Sequence, residues 1–147
     1  DASLINTLLP AGVASGNYAA IWTDYNNDGH NDLYLSKCRH GVTSASDPRR
    51  INRLFRNNGN NSYADVGPAA GLADGAQTWC ADFADIDNDG DLDLLILNNG
   101  AKPILYRNEG HPLPRGTDDK AVDYSSGFSS GGRPRTSSSC SSSAIVI

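Results

Sequence analysis

The nine residues Asp85-Ile86-Asp87-Asn88-Asp89-Gly90-Asp91-Leu92-Asp93 set five carboxylates in one short stretch with a single glycine among them. Like charges at that density oppose folding unless a cation sits between them. The spacing D-x-D-x-D-G-x-x-D puts side-chain oxygens at positions 1, 3, 5 and 9, and position 7 can add its backbone carbonyl. Hard oxygen donors in that number, at roughly 2.3–2.6 Å, suit Ca²⁺; Mg²⁺, smaller and stricter in its octahedron, is disfavoured. Gly90 at position 6 permits the sharp turn that closes the loop. The candidate ligands are the side chains of Asp85, Asp87, Asp89 and Asp93 and the carbonyl of Asp91.

A second copy, Asp24-Tyr25-Asn26-Asn27-Asp28-Gly29-His30-Asn31-Asp32, stands 61 residues earlier in the same register. Its candidate ligands are Asp24, Asn26, Asp28 and Asp32 through side chains and His30 through its carbonyl. Asn26 removes one negative charge at position 3, so the first loop is expected to hold its cation more weakly. Two Ca²⁺ sites are thus expected. Much of the net charge of −5 lies in these loops, so bound cations would bring the chain close to neutral.

Each loop is flanked by strand-forming residues. Tyr18–Thr23 leads into the first loop and Leu33–Leu35 leaves it; Gln77–Ala84 and Leu92–Leu97 do the same for the second. Arg53–Arg56 followed by Asn57-Asn58-Gly59, a strong turn signal, is echoed 51 residues later by Ile104–Arg107 and Asn108-Glu109-Gly110. The difference between 61 and 51 is about the size of the irregular stretch 37–52, which reads as an insertion in the first unit. Asn61–Val66 is a further strand candidate. Residues 1–17 cannot form a long helix, with Pro10, Gly12 and Gly16 so close together.

The stretch from Ala84 to Leu94, continued through Leu105-Tyr106-Arg107-Asn108-Glu109-Gly110, closely resembles the FG-GAP/VCBS-type repeat of calcium-binding β-propellers, the family that includes integrin α-subunit heads. The resemblance implies an all-β fold of two propeller-blade-like four-stranded units, at about residues 11–66 and 70–110, each with one calcium loop. Residues 111–147 read as a low-complexity tail with ten serines, ending in the apolar Ala144-Ile145-Val146-Ile147. Propellers have about four to eight blades, and two leave exposed sheet edges, which points to homo-oligomers or polymers with the tail adding a strand.

An EF-hand shares the early ligand positions, but position 12, where it needs a bidentate Glu, is Leu35 in one loop and Ile96 in the other. Its flanks would also have to be helical, and these are not. No arrangement of His30, His40 or His111 with a nucleophile, and no phosphate-cradling loop, suggests catalysis, so the chain is not expected to be an enzyme. An acidic chain without a basic stretch argues against nucleic acid, and no apolar run is long enough to span a membrane. The expectation is a secreted or cell-surface structural module that binds Ca²⁺ and self-associates. The alternative is a lectin-like adhesion module that binds a glycan or an extracellular protein. Trp22, Trp79, Arg56 and Arg107 are read as packing and pairing residues; Arg49, Arg50 and Arg53 as a solvated face or contact rim. Two states of the cysteines stay open: a Cys38–Cys80 bridge beside a separate Cys140, or three unpaired thiols with Cys80 buried in a strand.

Overall fold

Residues 2–109 are described by a computed structural model of the chain. The expected tail, with Cys140 and Ala144–Ile147, lies outside the described residues. The chain opens with α1 (Ala2–Leu8), a helix that ends just before Pro10, whose missing N–H and ring bar a further turn. Two antiparallel sheets follow. The first holds β1 (Asn17–Thr23), β2 (Asp32–Lys37), β3 (Arg53–Asn57) and β4 (Tyr63–Asp65) in sequential order; the second holds β5 (Thr78–Ala84), β6 (Asp93–Asn98) and β7 (Ile104–Tyr106). Thr23 faces Asp32 and Ala84 faces Asp93, so each acidic loop closes a hairpin between the first two strands of its sheet. Both leading strands shift register at the same place, between Asn17 and Ala19 and between Thr78 and Cys80.

Three expectations are corrected. The fold is not purely β, since α1 is a short helix where only a long one was excluded. The units are not two matching four-stranded blades: the sheets have four and three strands among the described residues. Neither sheet closes or curls, so the β-propeller reading fails with them.

The elements stack in three layers. Ile21, Tyr34 and Leu54 project from one face of the first sheet onto Ala81, Leu94, Ile96 and Tyr106 of the second, with the Tyr34 and Phe83 rings edge to face at 5.9 Å. The opposite face of the first sheet, through Ala20, Leu33, Leu35 and Phe55, is covered by Ile5 and Leu9. Every residue of β2 is therefore buried, whereas β6 alternates, with Leu94 and Ile96 inside and Leu95 and Leu97 exposed. Alternation of that kind marks a strand covered on one face only.

The irregular stretch 37–52 ties the sheets together by polar contacts. Asn52 accepts from the Lys37 amide at 2.8 Å through Oδ1, and its Nδ2 donates to Thr78 Oγ1 at 2.6 Å. The Thr78 hydroxyl in turn donates to Asn98 Oδ1 at 2.7 Å. Lys37 Nζ is buried and donates to Val13 O at 2.9 Å, Ser15 O at 3.1 Å and Asn17 Oδ1 at 2.7 Å. All three ammonium protons are thus accepted, but burial lowers the Lys37 pKa to about 8. The unfolded chain holds this proton up to the ordinary lysine range and the folded chain only to about 8. Stability from this group therefore rises with pH across that interval. Urea titrations at several pH values between about 8 and 10.5 should show wild type gaining stability relative to Lys37→Met as pH rises.

Candidate metal centre

The two acidic loops share one hydrogen-bond scaffold. At position 1, Asp24 accepts from the amides of Asp28 at 3.0 Å and Gly29 at 2.8 Å; Asp85 accepts from Asp89 at 3.2 Å and Gly90 at 3.1 Å. At position 5, Asp28 Oδ1 accepts from the His30 amide at 2.9 Å and Asp89 Oδ1 from the Asp91 amide at 3.0 Å. Position 4 takes a positive φ in both, 56° at Asn27 and 60° at Asn88, which asparagine tolerates. Gly29 and Gly90 follow with φ of 85° and 95°, the left-handed conformation expected of position 6.

In the second loop, Asp85, Asp87 and Asp89 each bring a carboxylate oxygen within 4.8 Å of the other two, all three residues being exposed. Three oxygens converging at that separation form a donor set that fits a hard divalent cation. Asp87 is also ion-paired with Arg107, which bonds Glu109 at 3.1 Å. In the first loop Asn26 takes the place of Asp87. Its Nδ2 donates to Asp28 Oδ2 at 2.9 Å, partly satisfying that carboxylate by a neutral amide.

The position 9 residues behave differently from the rest. Asp32 and Asp93 are buried, 0% and 1% exposed, at the first residue of β2 and β6. Asp32 accepts from the amides of Tyr25 at 3.3 Å and Asn57 at 2.7 Å; Asp93 accepts from Ile86 at 3.1 Å and Asn108 at 2.7 Å. Each carboxylate thus ties the start of its loop to the end of the third strand or just past it. Burial raises the Asp32 pKa to about 6, against the two backbone donors that favour its charged form; the charges of Asp28 and Asp24 raise it further.

The position 7 side chains turn to other partners. The Asp91 carboxylate accepts from Asn27 Nδ2 at 2.8 Å, and the same amide donates to Gly90 O at 3.2 Å, so the two loops touch. The His30 ring lies over Gly59, where a Cβ would stand 2.6 Å from Nε2; with φ of 76° as well, only glycine suits that turn.

Sequence reasoning did not single out Asn27, Asn57 or Asn108. Asn108 Nδ2 donates to Tyr25 O at 2.9 Å and Leu92 O at 3.3 Å, joining the second sheet's turn to the first loop. The recurring Arg-Asn-x-Gly pattern contained this signal, but it reads equally as a turn. The aromatic and arginine residues named above find intramolecular partners. Tyr18 stacks on Trp79 at 6.3 Å, and Trp22 meets Tyr63 edge to face at 6.2 Å. Arg49 pairs with Asp47 and Arg53 with Asp65, both at 2.6 Å, and Arg50 donates to Val42 O and Thr43 O. Arg56 donates to Asn58 at 3.4 Å. Cys38 is a free thiol and Cys80 is disulfide-bonded, so neither the Cys38–Cys80 bridge nor three unpaired thiols is present.

The FG-GAP-like repeat family model matches residues 24–96, from the first aspartate of the first loop into β6. The chain is similar to that family over this span. The likeness is at the level of family and does not extend to a closed propeller, since the described residues form two open sheets. No curated protein and no solved structure matches the chain. Among the described residues no helix is long and apolar enough to cross a membrane.

The two kinds of carboxylate should separate by mutation. Asp93→Ala leaves the Ile86 and Asn108 amides without their acceptor and should cost about 2–4 kcal/mol by urea unfolding even with chelator present. Asp87→Ala, at an exposed ion pair, should change stability little under the same conditions.

Proposed function

We propose that this chain is a calcium-binding, extracellular structural module that self-associates, with one Ca²⁺ bracing each acidic loop. In the second loop Asp85, Asp87 and Asp89 supply the first oxygens, with Asp93 and the Asp91 carbonyl completing the set. In the first loop Asp24, Asn26, Asp28, Asp32 and the His30 carbonyl take the same places. The observation that carries this reading is the convergence of the three carboxylates of the second loop. A common scaffold of hydrogen bonds in both loops supports extending it to the first.

The proposed role is structural because the loops close hairpins and their last carboxylates are anchored in the fold. A cation that binds only the folded chain adds to its stability by mass action, and extracellular Ca²⁺ is abundant enough to fill weak sites. No group in either loop is assigned a catalytic part.

Calorimetric titration of the chelator-treated chain should give two Ca²⁺ per chain. Asp89→Asn should weaken the second site and Asp28→Asn the first, each about tenfold or more. With either loop disabled in turn, the second should prove the tighter. Melting temperature should rise with Ca²⁺ and much less with Mg²⁺ at equal concentration. A titration showing no heat and no thermal shift would refute the calcium reading.

A further inference from the structure

Ala81 and Phe83 of β5 pack toward the first sheet, so Cys80 and Asp82 belong to the outer face of the second. Across the ladder Cys80 pairs with Leu97 and Asp82 with Leu95, and Leu95 pairs in turn with Leu105 of β7. Leu95 and Leu97 are each 41% exposed. Beside Leu105, a cleft is lined by Ile86, Asp87, Leu105 and Arg107.

Cys80 is disulfide-bonded, whereas Cys38 is a free thiol. The chain has three cysteines, and the third is Cys140. After three serines it is followed by Ala144-Ile145-Val146-Ile147, the longest apolar run beyond Gly110.

We propose that Cys140 of the same chain is the partner of Cys80, and that this tether seats Ala144–Ile147 on the outer face of the second sheet, over Leu95, Leu97 and Leu105. Residues 110–139 give the chain ample length to return from β7 to β5. A disulfide holds its two Cα atoms about 4.4–6.8 Å apart, which brings residue 140 to the Cys80–Leu97 pair. Leu105 lies two strands across and two residues along from there, about 12 Å at ordinary sheet spacings. Four to seven extended residues reach about 13–25 Å, enough to lay the apolar run on this face. Tethering makes the contact intramolecular, so that a short run meets the face at high effective concentration. The bond forms as the two thiols give up two protons and two electrons to a disulfide oxidant, which a secretory or extracellular surrounding supplies. The proposal shares with the function proposed above only the extracellular placement, so bridge mapping and calcium titration can fail separately.

The first test is tryptic mapping of the full chain without reductant, which should show the Cys80 peptide joined to the Cys140 peptide in the monomer. A Cys38–Cys80 link, or Cys80 joined only within a covalent dimer, overturns the proposal. The second test is made in Cys38→Ser, so that no free thiol reshuffles the bridge. Ile145→Asp/Val146→Asp, at adjacent positions that cover both sides of an extended segment, should raise the fluorescence of the apolar dye ANS several-fold and lower the urea midpoint. Leu95→Ser should also lower the midpoint, but hardly further once the tail is substituted, because two sides of one contact are not additive. If Leu95→Ser loses the native near-UV spectrum, Leu97→Ser is measured in its place. Dye fluorescence unchanged by the tail substitutions, or additive effects on the midpoint, overturns the seating of the tail on this face.

Discussion

A buried carboxylate at the first residue of the second strand organises each half of this protein. Asp32 and Asp93 each accept from two backbone amides, one at the head of the acidic loop and one at the end of the third strand or just past it. Hydrogen bonds to a charged acceptor contribute about 1.5–3 kcal/mol each, and a buried amide deprived of its acceptor is costly. These bonds hold the loop, the hairpin it closes and the following strand in a single geometry. The exposed carboxylates of the second loop can converge because the loop's last residue is held in this way.

The same anchors place the loops against each other. Asn108 is itself the residue whose amide Asp93 holds, and its side chain reaches the carbonyls of Tyr25 and Leu92. Asn27 completes the contact from the other side, on Gly90 and Asp91. The loops therefore meet at one end of the stacked sheets, supported by the apolar layer between Tyr34, Phe83 and Ile96. The Asn52–Thr78–Asn98 chain of hydrogen bonds links the insertion to the second sheet. Polar networks of this kind specify one arrangement of two sheets that apolar contact alone would let slide.

A one-way stack of two similar sheets has unlike ends. One end is finished by α1, whose Ile5 and Leu9 cover Leu33, Leu35 and Phe55. The other, among the described residues, leaves Leu95 and Leu97 41% exposed beside Asp82 and the disulfide-bonded Cys80.

Much of the local structure was legible in the sequence. The D-x-[DN]-x-D-G-x-x-D spacing placed both loops between two strands, because glycine at position 6 meets a backbone demand local to the loop. Strand positions followed from runs such as Leu92–Leu97, where β-forming residues sit between turn signals. The anchoring by Asp32 and Asp93 was not legible, since a position 9 carboxylate looks the same in the sequence whether or not it also accepts from two distant backbone amides. Nor could repeat-by-repeat matching show that β7 would lack the neighbour that β3 has in β4 among the described residues. By itself, then, the sequence determined the loops, the hairpins and their spacing, all of which depend on contacts within a few residues. The tertiary structure alone decided which sheet face is buried, which carboxylates are anchored and which converge. Those outcomes depend on groups far apart in the chain: Asn108 on Tyr25, Thr78 on Asn52, and α1 on the first sheet.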